Sequence, residues 1–145
     1  MSIRPGRRKP TQGLTLWPAD RPDCPVMAFL SYDPADPYMV RLAFLKRGLE
    51  TVVYHLSRHL LAAGLREPVT DSSATVGPHE DLEDYFVLTL TPADAYPYVV
   101  YTDRKPVERF LIRSYALVPG GQEDAHIGAG LDAALTAILT SEVAP

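Results

Sequence analysis

Residues 31–68 read SYDPADPYMVRLAFLKRGLETVVYHLSRHLLAAGLREP, and their local signals run in one order: turn, strand, turn, strand, short helix, stop. Asp33-Pro34 and Asp36-Pro37 are acid-proline pairs three residues apart. Proline fixes φ and biases the preceding residue away from helix, and aspartate bonds readily to backbone two residues on, so the chain turns here. From Tyr38 a strand leaves the turn, with Val40, Leu42 and Phe44 on one face and Met39, Arg41 and Ala43 on the other. Lys46-Arg47-Gly48 is a second turn signal, after which Thr51-Val52-Val53-Tyr54 resumes with β-branched and aromatic residues. Ser57 suits the N-cap of a helix over Arg58 to Ala63, and Gly64 is expected to end it in a left-handed conformation.

On the N-terminal side, residues 1–12 are expected to form a disordered basic tail and residues 13–145 a single domain. Gly13 to Trp17 reads as a short strand stopped by Pro18, and Val26 to Tyr32 as a strand leading into the acid-proline turn. On the C-terminal side, Pro68 to Asp84 is rich in Thr, Ser, Gly, Pro and acids. A long loop is the favoured reading there, and a weak strand around Ala74-Thr75-Val76 is the alternative. Tyr85 to Leu90 and Tyr96 to Tyr101 read as strands around a turn at Thr91 to Ala95. Thr102 or Asp103 then caps a helix with Pro106 in its first turn and Val107, Phe110, Leu111 and Ser114 on one face. Val118-Pro119-Gly120-Gly121 stops it, and a last helix is expected from Gly128 to Val143, apolar along Ile127, Leu131, Leu135 and Ile138. Strands followed by helix, twice over, make an antiparallel α+β domain and leave no room for the alternation of a doubly wound nucleotide fold.

Composition narrows the function classes. A chain of 145 residues can bury ~68% of the surface its unfolded form exposes and needs no covalent staple. The single cysteine, Cys24, excludes an intramolecular disulfide and a cysteine zinc cluster, which points to a reducing, cytoplasmic setting. No apolar run reaches the ~18 residues of a membrane span. Four of the 14 Lys and Arg lie in positions 1–9; without them 10 remain against 18 Asp and Glu. So acidic a body disfavours phosphate backbones, and nucleic acid is an unlooked-for partner.

Reactive constellations fail one by one. His55-Leu56-Ser57-Arg58-His59 has the two-histidine spacing of a zinc-protease helix, but Leu56 stands where the general base must be. Cys24 sits between Asp23 and Pro25, with no neighbouring base to lower its pKa. The acidic run from His79 to Asp84 lacks the ligand spacing and glycine of a calcium loop. Asp33 and Asp36 are explained by turn formation without acid-base work. No catalytic residue, metal site or cofactor is expected, which leaves a binding or scaffold protein.

The opening stretch also carries a likeness. YDPADPYMVRLAF followed by TVVYHLSRHLLAAGLREP resembles the YDxxDPYAVxxxF and TVxWxFARDLLxxGLxxP segments of the SsgA/SsgB-like sporulation and cell-division proteins of actinobacteria. The matching positions are Tyr32, Asp33, Asp36, Pro37, Tyr38, Val40 and Phe44, then Thr51, Val52, Arg58, Leu60, Leu61, Gly64, Leu65 and Pro68. Phe110, Leu111 and Arg113, then Val118, Pro119, Gly121 and Glu123, resemble the family's FLxRTxxxVPPGxE. The chain departs from the pattern at Tyr54 and His59, where the family has Trp and Asp, and over 72–78, where only Val76 and Pro78 match GDVRVWP.

The resemblance implies a divergent, non-enzymatic member with a curved antiparallel sheet and packed helices, similar to the whirly-type single-strand nucleic-acid-binding fold, assembled as a homotrimer. It implies work at sporulation septa, where some members position the tubulin-like division GTPase and others influence peptidoglycan remodelling. Tyr54, Arg58 and His59 are the expected partner contacts. The alternative is a single-stranded nucleic-acid binder that stacks bases on Tyr96, Tyr98 and Tyr101 and meets phosphates with its N-terminal arginines.

Overall fold

The computed structural model describes residues 9–91, 97–127, 135, 136 and 139. Eight strands form one antiparallel sheet: β1 (Thr11–Pro18), β2 (Val26–Ser31), β3 (Met39–Lys46), β4 (Leu49–Ser57), β5 (Val69–Thr70), β6 (Ala74–Pro78), β7 (Tyr85–Leu90) and β8 (Tyr98–Asp103). Helix α1 (Arg58–Gly64) follows β4, and α2 (Arg104–Leu117) follows β8. The spatial order is β4-β3-β2-β1-β8-β7-β6-β5. Two four-stranded meanders are therefore each followed by a helix, and their strands join where Trp17 pairs with Tyr101 and Pro18 with Val100. The joined sheet is curled, and one of its faces carries the core.

Alternation decides which side chains enter that core. Leu14 and Leu16, Ala28 and Leu30, and Val40, Leu42 and Phe44 point inward from β1, β2 and β3, and all are buried. Val76, Phe86, Leu88, Leu90 and Val100 do the same from the second meander. Between β3 and β4, Arg47 (φ 54°) and Gly48 (φ 78°) form a two-residue connection with both residues left-handed. That turn matches the twist of a hairpin, so Lys46 and Leu49 pair directly across it. A bulge follows: Phe44 pairs with Val52 and Leu45 with Glu50, leaving Thr51 unpaired.

The helices behave largely as their sequences suggest. Ser57 caps α1 by accepting from the Leu60 amide at 3.1 Å. In α2, Val107, Phe110, Leu111 and Ser114 are the buried face, and α2 packs on β1 while α1 packs on β4, β5 and β6.

Several expectations are corrected. β1 begins at Thr11, within the stretch read as tail, because its first residues pair with Ser31 and Leu30 of β2. Val69–Thr70 and Ala74–Pro78 are paired strands where a loop was favoured: β6 is held across five residues by β7, a partner whose strand pattern is much stronger. Gly64 is not left-handed; it closes the last turn of α1. Its lack of a side chain answers to packing, since a Cβ there would lie 2.3 Å from Val76 Cγ2. The strand expected from Tyr96 begins at Tyr98; Tyr96 lies outside the described residues, as do most of the expected last helix and residues 1–8.

Candidate functional site

Four of the motif positions, Tyr32, Tyr38, Val118 and Glu123, meet a fifth, Arg58, which is a buried cation. Arg58, the first residue of α1, is 1% exposed. Its amide donates to the Tyr38 carbonyl at 2.8 Å, which joins α1 to the end of the acid-proline turn. Its Nη1 donates to the carbonyls of Ser114 at 3.0 Å and Val118 at 2.8 Å. Those carbonyls belong to the C-terminal end of α2, where the helix has no basic residue of its own in its last turn. A cation supplied from 56 and 60 residues away therefore satisfies the Val118 carbonyl, adds a second donor to the Ser114 carbonyl that already accepts the Val118 amide, and opposes the negative end of the helix dipole.

The rest of the cage is aromatic and acidic. The Arg58 guanidinium carbon lies 3.9 Å from the centre of the Tyr115 ring and 4.8 Å from that of Tyr32. Its Nη2 stands 3.8 Å from Glu123 Oε2 and makes no hydrogen bond among the described residues, so this contact is Coulombic. Burying a guanidinium costs several kcal/mol. Two carbonyl bonds, two ring faces and a carboxylate offset that cost, and together they pin α1, α2 and the 118–123 segment to one point. Burial pushes the Tyr32 hydroxyl up to about 12, the nearby Arg58 charge working against it. Burial raises Tyr115 as well.

The acid-proline turn is built around the same ring. Tyr32 donates its hydroxyl proton to the Pro37 carbonyl at 2.9 Å. Asp33 accepts from the Ala35 amide at 3.0 Å and pairs with Lys9 at the same distance, and these two contacts hold its carboxyl below the usual range. Asp36 donates its amide to the Asp33 carbonyl and accepts from the Met39 amide. Tyr38, exposed, bonds through its hydroxyl to Asp124, which raises its pKa. Leu60, Leu61 and Phe110 are core, Leu65 and Pro68 follow α1, and Pro119 and Gly121 shape the turn that carries Glu123. Arg113 is exposed and donates to Thr11 O and Gln12 Oε1, tying α2 to the start of β1.

The three expected contact residues separate. Arg58 is an interior cation, because two helix-end carbonyls and two rings hold it inward. His59 is exposed on α1, and Tyr54 is half-buried on β4, edge-on to Phe44 at 5.7 Å. His55 lies on β4 and His59 on α1, and no group of three metal-ligating side chains exists among the described residues. Tyr98 points to the core side, against Phe44, whereas Tyr101 points to the opposite face, against His79. These two rings cannot form one stacking platform. Tyr115 and Glu123 are the members of the cage whose role the sequence reading missed. Glu123 carries one sequence signal, its place in the family motif after Val118-Pro119.

A family model described as "Streptomyces sporulation and cell division protein, SsgA" matches residues 26–123. The sporulation-specific cell division protein SsgB of Salinispora tropica is 34% identical over 140 residues, covering 94% of this chain and 96% of that one. The SsgB of Streptomyces coelicolor is 35% identical over 115 residues, covering 79% and 82%. Among solved structures, an SsgA-like sporulation-specific cell division protein from Thermobifida fusca superposes with TM-score 0.78 at 26% identity over 92% of this chain and 99% of that one. A structure reported with SsgB mutations that correlate to longitudinal cell division during sporulation of Streptomyces coelicolor gives 0.73 at 30% identity, covering 82% and 95%.

Proposed function

This chain belongs to the SsgA family of sporulation and cell-division proteins, and from that membership we propose that it acts in sporulation-specific division as a non-enzymatic protein-interaction module. It assembles with copies of itself as a homotrimer and meets division proteins, such as the tubulin-like GTPase or a paralogue, at the septum from the cytoplasm. The observation that carries this reading is the use the fold makes of the family's motif residues. Tyr32, Arg58, Phe110 and Glu123 are spent on locking two helices and a turn to a sheet. Such a rigid body presents surfaces to partners. No described helix is long and apolar enough to cross a membrane.

A fluorescent fusion followed through sporulation, together with co-purification from sporulating cells, tests the role. Septal bands and a retained division protein are expected; diffuse fluorescence with no division partner would sink the reading. Light scattering tests the assembly separately, and a monomer at all concentrations overturns the trimer.

A further inference from the structure

Among the described residues the sheet ends on two unpaired strands, and these edges are built differently. β5 offers two residues, and the Asp71 carboxylate closes the turn behind it by accepting from the Ser73 and Ala74 amides at 2.7 and 3.2 Å. β4 offers nine residues with no proline and no lysine, and Leu49 and Val52 are 71% and 48% exposed. Short length, proline, lysine and bulges are the usual devices that keep an edge from pairing; β4 lacks the first three, and its one bulge, at Thr51, leaves Val52 to Ser57 in regular register. Every second residue of such an edge turns its N–H and C=O outward, which selects an extended backbone as partner. Beside this edge, on the core side of the sheet, an apolar groove of about 730 Å³ lies between β4 and the start of β2, walled by Val52, Tyr54, Phe44 and Tyr98. The one acid of β4, Glu50, is occupied by Arg41 through two bonds of 2.9 and 2.5 Å. Lys46, on the groove rim, and Arg47 meet no carboxylate among the described residues. In a chain of net charge −4, the β3–β4 turn thus carries two cations free of carboxylate partners, whereas the Tyr98 wall of the groove faces the charge of Asp20.

We propose that β4 takes an extended segment of a partner protein by strand addition, apolar at alternate positions to fill the groove and acidic where it passes the β3–β4 turn. The inference rests on the interaction role proposed above and names its contact surface, with Tyr54 inside it. The test uses the full chain and a labelled, blocked ten-residue peptide alternating Val with Thr and ending in three Asp. Two control peptides end in three Lys or carry the same residues with the alternation scrambled. Fluorescence anisotropy is expected to show the Asp peptide binding at least tenfold tighter than either control, with amide shifts mapped to residues 49–57. Val52→Lys, checked for unchanged unfolding, is expected to abolish binding, and Lys46→Glu with Arg47→Glu to reverse the preference toward the Lys peptide. Equal binding of all three peptides, shifts that map elsewhere, or β4 amides protected by self-association in the absence of peptide overturn the proposal. Septal localisation that survives such an outcome leaves the division role standing and removes only this surface.

Discussion

The Arg58 guanidinium carbon of α1 lies over the Tyr115 ring of α2, 3.9 Å from its centre, so the side chain that begins one helix is covered by the last turns of the other. Arg58→Met keeps much of the volume but leaves the Val118 carbonyl without its donor and Glu123 without its counter-charge. Removing one partner of a buried charged group costs about 3–5 kcal/mol. A fall of that size in urea-unfolding free energy is expected, and Arg58→Lys is expected to recover only part of it because an ammonium lacks the planar fork. A change within 0.5 kcal/mol for Arg58→Met would show that the cage contributes no stability.

Gly64→Ala puts a methyl carbon into the space of Val76 Cγ2, 2.3 Å away, with Phe86 Cε2 at 3.3 Å behind it. Overpacking of this kind costs about 1–3 kcal/mol. The Val76→Ala change opens the space, so the double variant is expected to be more stable than the sum of its singles predicts. Additive free energies in a double-mutant cycle contradict the assigned contact.

Ser57→Ala removes the acceptor for the Leu60 amide. A cap of this type is worth about 1 kcal/mol. Because α1 is seven residues long, the loss should appear first as faster amide exchange at Leu60 and Leu61, with the global unfolding midpoint moving little more than that figure allows.

Asp33→Ala is expected to cost about 1 kcal/mol, the usual net worth of one such hydrogen bond. The Asp33 carboxyl is held below its ordinary range by the Ala35 amide and then by Lys9, so its contribution is present above ~pH 4, the unfolded value. As the pH falls through the lower folded value that contribution is lost, and the gap between wild type and variant should shrink. A gap that stays constant down to pH 2 points to turn geometry alone.

Alkali acts on the cage in the opposite sense. Tyr32 titrates at about 12 in the folded chain and near ~10 when unfolded. The folded state then holds its proton where the unfolded state has released it, so stability is intact below ~pH 10 and declines as the pH climbs toward 12. Tyr115, raised by burial, adds to the same limb. Tyr32→Phe should be less stable at neutral pH, having lost the bond to Pro37 O, but should show a shallower decline in alkali. Parallel curves for the two proteins argue against a titrating Tyr32.

The residues whose signals are local were legible. The acid-proline turn, the period-two faces of β3 and β7, the Ser57 cap and the buried face of α2 each depend on side chains within a few positions of one another, and short-range sterics and hydrogen bonds act over that distance. The order and spacing of the same residues also marked the family. Tertiary structure decided the rest. β6 is a strand because β7 pairs with it, and Gly64 is required because Val76 comes from another element. Arg58 looked like a surface contact because a lone arginine at a helix start is ordinarily solvated. It became the interior cation only when the fold delivered Tyr32, Tyr115, Ser114, Val118 and Glu123 to one place. Desolvation and its compensation depend on neighbours in space, and those neighbours lie up to 65 positions away along the chain.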